Sequence, residues 1–329
     1  MTSEVSRPGL EVAVLGAINW DTTVFEARFA SPGEEVPVSR VEEFPGGKGA
    51  NAAVAAARIL GRGSVAFLGA LGHDAVRKPL FESLSAEGVR TEGVVTVKGA
   101  ASGRAIIVVD GAGRKTIHTH FGANDAFEPR HVRSPAASAI LSSAPMALVM
   151  DVPLPTAAAA MKARSRRSRV VYSPGVRASG AKASLDEVVS LADDLVVDRS
   201  ELARLSGVRS PRGGVEALVR RYEGVTVVAT LGPDGCMVSR EGRTARVRPV
   251  DLTDLGLSAV NSTGSGDAFL AAYSCYALSG LAPEEAAEWG NLAGALKAAS
   301  AETRGSPTRR MLEESMRELK FREPRRGSP

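Results

Sequence analysis

The stretch VNSTGSGDAFLAAY (Val260–Tyr273) sets two glycines and an aspartate at the mouth of a long apolar helix. Gly264 and Gly266 free the backbone there, so the amides of Gly264, Ser265 and Gly266 can face outward at the positive end of the helix dipole, an anion site. Asp267 falls in the first turn. A carboxylate there stabilises the helix, and beside a phosphate it can also take the proton of an attacking hydroxyl during phosphoryl transfer. A second glycine-rich stretch, EFPGGKGAN (43–51), opens another helix, and its backbone allows close approach or positive φ. Asn51 offers a donor and an acceptor together, which a polyhydroxy ligand needs. In GAINWD (16–21), Asn19 and Asp21 end a predicted strand. They suit sugar hydroxyls at the carboxyl edge of a sheet, or plain turn formation.

Positioning these groups requires alternating strands and helices. Short apolar, β-branched runs predict strands at 12–18, 64–68, 147–150, 169–172, 195–197 and 225–229. Longer amphipathic segments predict helices at 51–60, 75–87, 156–164, 186–192, 200–205 and 213–222, then 266–279, 283–300 and 307–319. Such alternation demands crossovers, hence an α/β fold with a mainly parallel sheet covered on both faces. Two stretches break the rhythm. Residues 22–42 lack a helical period, and 94–121 carry alternating apolar residues around VDGAGRK. They are read as a small β lid rather than edge hairpins, because each leaves near a candidate site. The main body is placed at 1–320 and the basic tail 321–329 is expected to be disordered.

Composition narrows the function classes. The chain has 329 residues, 44 % hydrophobic and 24 % charged, with net charge +4, as for an ordinary globular protein. Basic residues cluster at 164–169 and 322–326, but only 5 % of residues are aromatic, so a nucleic-acid partner is not expected. Two cysteines, Cys236 and Cys275, make no disulfide framework, and four histidines make no zinc signature. The N-terminus lacks the pattern of a signal peptide, and the uncharged run 268–283 is too short for a bilayer span. A cytoplasmic protein without a membrane partner is expected.

The ordered motifs GAINWD, GGKGAN, FGAN (121–124), TLGPDG (230–235) and NSTGSGD together resemble the ribokinase/PfkB family of carbohydrate kinases over nearly the whole chain. The resemblance implies a three-layer α/β/α sandwich with a β-sheet lid, binding sugar between them, and ATP with Mg²⁺ as phosphoryl donor. It implies sugar contacts from Asn19, Asp21, Gly47, Lys48 and Asn51, and from Asp151, which stands where relatives usually carry glutamate. It makes Asp267 the base and Gly264, Ser265 and Gly266 the anion hole. Asp198, Thr230, Gly232, Gly235 and Asn291 fall in the implied nucleotide pocket.

Two departures stand out. VVDRSELARLSG reads Asp-x-x-Glu where the family usually has Asn-x-x-Glu. Glu201 there suits Mg²⁺, directly or through water, or simply the first turn of its helix. Asn261 replaces the usual aspartate at a position that, with Thr263, is implied to hold a monovalent cation such as K⁺. Cationic residues Arg77, Arg104, Lys115, His118, His120 and Arg177 read individually as surface charge, and together leave open a phosphorylated acceptor such as ribose 1-phosphate. Trp20 would favour a nucleoside by stacking, or else brace the lid. A non-catalytic sugar or nucleotide sensor is the reading from another class. A dehydrogenase is disfavoured, since GAINWD lacks G-x-G-x-x-G. The lid has edges to cover and is expected to form a homodimer.

Overall fold

Glycine-punctuated runs of Val, Leu and Ala build a nine-stranded sheet in the computed structural model, which describes residues 9–322. The chain begins β1 (Val12–Gly16), β2 (Asn19–Glu26), β3 (Val38–Gly46), α1 (Lys48–Leu60), β4 (Val65–Gly72), α2 (Arg77–Ala86) and β5 (Arg90–Val97). It continues β6 (Gly103–Val109), β7 (Lys115–His120), α3 (Pro129–Val132), α4 (Pro135–Ser143), β8 (Met146–Met150) and α5 (Leu154–Ala163). Next come β9 (Arg169–Ser173), α6 (Lys182–Val189), β10 (Asp194–Asp198), α7 (Arg199–Ser206) and α8 (Pro211–Arg221). It ends β11 (Thr226–Thr230), β12 (Cys236–Arg240), β13 (Arg243–Val247), α9 (Ser265–Leu278), α10 (Pro283–Ala298) and α11 (Arg309–Arg322).

The main sheet runs β13-β12-β11-β10-β9-β8-β1-β4-β5, parallel from β11 to β5 with an antiparallel hairpin, β12–β13, at one edge. β1, β4 and β8 are buried along their whole length, as strands covered on both faces must be. Successive residues of β1 enter opposite cores. Val12 and Val14 pack with α1, α9 and α10, while Ala13 and Leu15 pack with α4, α5 and α8. Three layers result. From β1 the chain reaches β4 on one side and later returns to β8 on the other, so the carboxyl ends of β1 and β8 flank a switch-point crevice.

The four-stranded second sheet, β3-β2-β6-β7, rises from that crevice as the lid. Its limits differ from those expected. The lid spans 19–46 and 103–120, because residues 90–97 pair parallel with β4 and belong to the main sheet. The β12–β13 hairpin and helix α4 were not predicted: PAASAILSS mixes small apolar and hydroxyl side chains that blur the helical period. Helix α11 carries the chain through Arg322, so Phe321 and Arg322 are helical and the rest of the expected tail, 323–329, lies outside the described residues. Among the described residues no helix is long and apolar enough to cross a membrane. Cys236 and Cys275 are buried and unbridged.

Candidate active site

Each glycine of GGKGAN answers a different contact. Gly47 caps α1 at φ +92, and a Cβ there would lie 2.6 Å from the Ala17 carbonyl oxygen. Only glycine accepts both that dihedral and that approach. A Cβ on Gly46 would strike the Asp21 carboxylate, and one on Gly49 would lie 2.4 Å from Gly16 Cα. The start of α1 is therefore pressed onto the loop leaving β1, and Asn51 projects one turn in. Asn51 Nδ2 donates to Asp267 Oδ2 at 2.9 Å, while Arg304 Nε donates to Asn51 Oδ1 at 3.0 Å. A guanidinium has no acceptor, so Arg304 settles which way the amide points. Arg304 is itself pinned, donating to Ser83 Oγ at 2.9 Å and to the Gly46 carbonyl at 3.2 Å.

Strand β2 alternates Asn19, Asp21 and Thr23 towards the interior with Trp20 and Thr22 on the other face. Asn19 Oδ1 accepts from Asn124 Nδ2 at 2.9 Å, and Asn124 also clamps the backbone of Ile18 through bonds of 3.0 and 3.1 Å. Asp21 is 5 % exposed, yet its Oδ1 meets no donor among the described residues. Asp151 Oδ1, buried beyond the end of β8, meets none either. Asp151 sits at φ +53, a left-handed conformation that aspartate tolerates at some cost. Across from it a Cβ on Gly175 would lie 2.9 Å from Asp151 Oδ1 and 3.1 Å from Lys48 Nζ. Burial, opposed by Arg304 and reinforced by Asp267, pushes the Asp21 carboxyl up to about 7. Burial raises Asp151 as well, against Lys48 and Arg177. Buried acceptors without donors are costly, and these two call for a ligand rich in hydroxyl groups.

Gly264 begins α9 at φ +83, with a would-be Cβ 2.7 Å from the Thr303 carbonyl oxygen, and Gly266 faces open space. The Ser265 amide, expected to face the anion, instead donates to the Ser262 carbonyl at 3.2 Å. Among the described residues, the α9-start amides without a backbone acceptor are those of Gly264, Gly266 and Asp267. Burial raises the Asp267 carboxyl, while the Asn51 hydrogen bond, Lys48 and Arg304 hold it down.

The loop before α9 is tied to the end of α10. The Val260 and Asn261 amides donate to the Ala298 carbonyl at 2.7 and 2.9 Å. Asn261 Nδ2 donates to the Ala301 carbonyl at 2.9 Å, and Asn261 Oδ1 accepts from the Thr263 amide at 3.0 Å. Lys297, 1 % exposed, donates from Nζ to the Asn261 carbonyl at 3.0 Å.

Strands β10 and β11 end side by side, with Asp198 paired to Thr230. Asp198 Oδ1 accepts from Ser200 N at 2.7 Å and Glu201 N at 2.8 Å, and Glu201 Oε2 accepts from the Asp198 amide at 3.0 Å. This reciprocal cap starts α7, a task aspartate performs as well as asparagine. Glu201 Oε1 lies 4.0 Å from Lys48 Nζ. Burial raises Glu201, with Asp198 adding and Lys48 opposing. Burial works against the Lys48 charge, but Asp151, Glu201, Asp267 and Asp198 around it hold its ammonium above the ordinary lysine value. Gly232, at φ +63, faces open space beside Thr230, whereas a Cβ on Gly235 would lie 2.4 Å from the Val247 carbonyl, so Gly235 shapes the turn. Asn291 donates to the Arg248 carbonyl at 2.8 Å.

Residues 10–309 match the family described as pfkB family carbohydrate kinase. The chain belongs to that family. It is 31 % identical over 304 residues to the ribokinase of Haemophilus influenzae, covering 91 % of this chain and 95 % of that one. It is 26 % identical over 299 residues to the ATP-dependent ribose-1-phosphate kinase of Halopiger xanaduensis, covering 91 % and 95 %. The crystal structure of the Thermotoga maritima ribokinase is similar at a TM-score of 0.80 and 27 % identity, covering 94 % of this chain and 99 % of that one. As a pfkB-family member with this ribokinase-like fold, the chain is an ATP-dependent carbohydrate kinase.

Geometry sorts the lid cations of this pfkB kinase. Register pairs Trp20 with Arg104 and His120, and Thr22 with Ile106 and His118, all on the face away from Asn19 and Asp21. Trp20 packs against the core cluster of α1 and α9, so it braces the lid. Lys115 shares the face of Asp21, and its Nζ donates to Thr263 Oγ1 at 3.1 Å. Arg77 Nη1 donates to Thr96 Oγ1 at 3.4 Å on the exposed side of α2. Three residues with central contacts were not singled out from sequence: Arg304, Asn124 and Lys297. FGAN pointed at Asn124 as part of a motif, whereas Arg304 and Lys297 carry no local signal.

Proposed function

We propose that the enzyme transfers the γ-phosphoryl group of ATP to a hydroxyl of ribose or a closely similar sugar. One observation carries this reading: the Asp267 carboxylate, aimed by Asn51, stands between uncommitted helix-start amides and a pocket whose Asp21 and Asp151 oxygens need donors. In the proposed reaction Asn19, Asp21, Asn51 and Asp151 hold the sugar hydroxyls, with Lys48 balancing the charge of Asp151. Asp267 Oδ1 takes the hydroxyl proton as that oxygen bonds to the γ-phosphorus and the bond to the β-phosphate oxygen breaks, releasing ADP. The amides of Gly264, Gly266 and Asp267 stabilise charge on the transferred oxygens. The lid strands carrying Asp21 and Lys115 keep competing water out.

Thr230 and Gly232 border the nucleotide in this reading, with Asn291 further along the same side. Mg²⁺ fits Glu201 and the second oxygen of Asp198, since this ion keeps waters and takes few carboxylates beside substrate phosphates; bound there it would neutralise phosphate charge. The test is a donor-by-acceptor matrix of ATP, GTP and ADP against pentoses, hexoses, nucleosides and their phosphates. ADP release with ribose and ATP is the expected result. Activity confined to nucleosides would overturn the ribose assignment.

A second acceptor class has its own support. Arg177 Nε is buried without a partner among the described residues, its guanidinium 4.6 Å from the Phe121 ring centre and close enough to Asp151 to lower its pKa. Arg177 Nη2 already donates to Asp125 Oδ1, and a sugar that bears a phosphate would offer the remaining Nε–H an acceptor. Preference for ribose 1-phosphate over ribose in the same matrix would establish it. The outer lid face leaves Ile106 and Val41 about half exposed, beside Val24 and Val108. We therefore also propose a lid-to-lid homodimer, which light scattering showing a strict monomer at micromolar concentration would reject.

A further inference from the structure

The loop leading into the anion hole is where a monovalent cation is implied by family resemblance, through Asn261 and Thr263. The groups present do not fit one. Both ends of the Asn261 amide are committed, to the Ala301 carbonyl and the Thr263 amide. Its backbone carbonyl already accepts from Lys297 Nζ at 3.0 Å, and the Ser300 carbonyl lies 3.5 Å from the same nitrogen. A lysine ammonium is a compact single positive charge with three donors, and carbonyl oxygens satisfy it much as they satisfy a metal cation. A second cation at those carbonyls would be repelled by the first.

Burial alone does not explain this lysine. Lys297 lies in the last turn of α10, where the carbonyl end of the helix favours positive charge. Its Cε is 3.5 Å from where a Cβ of Gly264 would stand, directly behind the residue that opens the hole. It ties α10 to the 260–263 loop, which in turn sets the direction of the Gly264 and Gly266 amides. The ordinary fate of a buried ammonium is pairing with a carboxylate. Here, among the described residues, its hydrogen bonds run to the backbone carbonyls of Asn261 and Ser300.

We propose that the Lys297 ammonium is a built-in cation that does the work of the monovalent ion, so that the anion hole forms without K⁺. The inference rests on the phosphoryl-transfer reading above. Lys297 acts as a positioning residue, through the loop, and contacts no substrate.

The wild-type enzyme is assayed at about 0.1 M ionic strength set either by KCl or by tetramethylammonium chloride, an ion too bulky for a carbonyl cage. The rate and the melting temperature should be the same in both salts. Lys297→Met, which keeps the apolar stem, should lose about 10²-fold in kcat, as for an enzyme whose anion-hole donors are misaimed, with sugar KM unchanged. KCl, but not the organic salt, should restore part of that loss and raise the melting temperature of the variant. A wild-type rate or melting temperature that rises with K⁺ overturns the proposal, as does full activity of the variant in the organic salt. The wild-type arm decides even if the variant fails to fold. Should no acceptor be phosphorylated, the kinase reading fails while the melting temperatures still report on Lys297.

Discussion

The two halves of the proposed active site are finished to different degrees by the protein itself. On the nucleotide side, Asn261, Lys297 and the Ala298 and Ala301 carbonyls engage one another in the loop before α9, while the amides of Gly264, Gly266 and Asp267 have no backbone acceptor among the described residues. On the sugar side, Asp21 and Asp151 are buried with an oxygen each unpartnered among the described residues, and Asp151 adopts a left-handed backbone. The first arrangement is rigid before anything binds, as transition-state stabilisation requires. The second stores unfavourable energy that a ligand with matching hydroxyls relieves. A competitor lacking a hydroxyl leaves a buried acceptor unpaired, which is how such a pocket discriminates.

The contrast is broken most severely at the group both halves share. Asp267→Asn keeps the shape and the hydrogen-bonding reach but removes the proposed base, so kcat should fall by ~10³-fold or more. ATP affinity, measured by calorimetry, should stay near wild type. Retained turnover would remove Asp267 from the mechanism. On the finished side, Gly264→Ala forces a side chain into φ +83 and towards the Thr303 carbonyl 2.7 Å away. A displaced amide there should cost ~10²-fold in kcat while ribose KM holds. A rise in KM instead would place the strain in the sugar pocket.

The unfinished side should respond to pH. Asp21 is raised from an ordinary 3.8 to about 7, so the native state holds this proton more tightly than the unfolded chain does. Its contribution to stability is therefore fully present below pH 3.8 and lost as pH rises through 7. At pH 8 the ionised carboxylate is a burden of up to roughly 4 kcal/mol. Asp21→Asn should raise the melting temperature at pH 8 and leave it little changed near pH 4. The same variant should weaken sugar affinity by about 10- to 100-fold, the worth of hydrogen bonds to a charged group. Because sugar hydroxyls favour the ionised form, wild-type ribose KM should also fall between pH 6 and 8. A variant less stable at pH 8 would mean that Asp21 is already satisfied.

How much of this was legible beforehand follows the range of each interaction. The glycines around Asp267 and Asn51 are local signals, since a helix start needing close approach announces itself within a few residues. The alternation of strands and helices gave the layers for the same reason. Arg304 and Lys297 are different: one basic residue in TRGSP and one in GALKAAS look like surface charge. Their roles come from contacts with Asn51 and Asn261, which are 253 and 36 residues away. The reassignment of residues 90–97 has a related cause. A half-buried alternating strand looks alike in a lid and at the edge of the main sheet, and only its parallel partner β4 distinguishes them.

The smallest expected effect tests the lid itself. Trp20 sits between two site residues in sequence, and adjacency alone suggested stacking on a nucleoside base. Strand alternation puts it on the opposite face from Asn19 and Asp21, packed against the core beneath the lid. Trp20→Ala should therefore cost about 2 kcal/mol of stability through lost packing of a partly buried ring, read as a lower melting temperature. It should leave the ratio of kcat/KM for ribose and for nucleosides unchanged. A variant that lost nucleoside activity selectively would put the ring in the pocket, and the lid strand would then have to turn over when substrate binds.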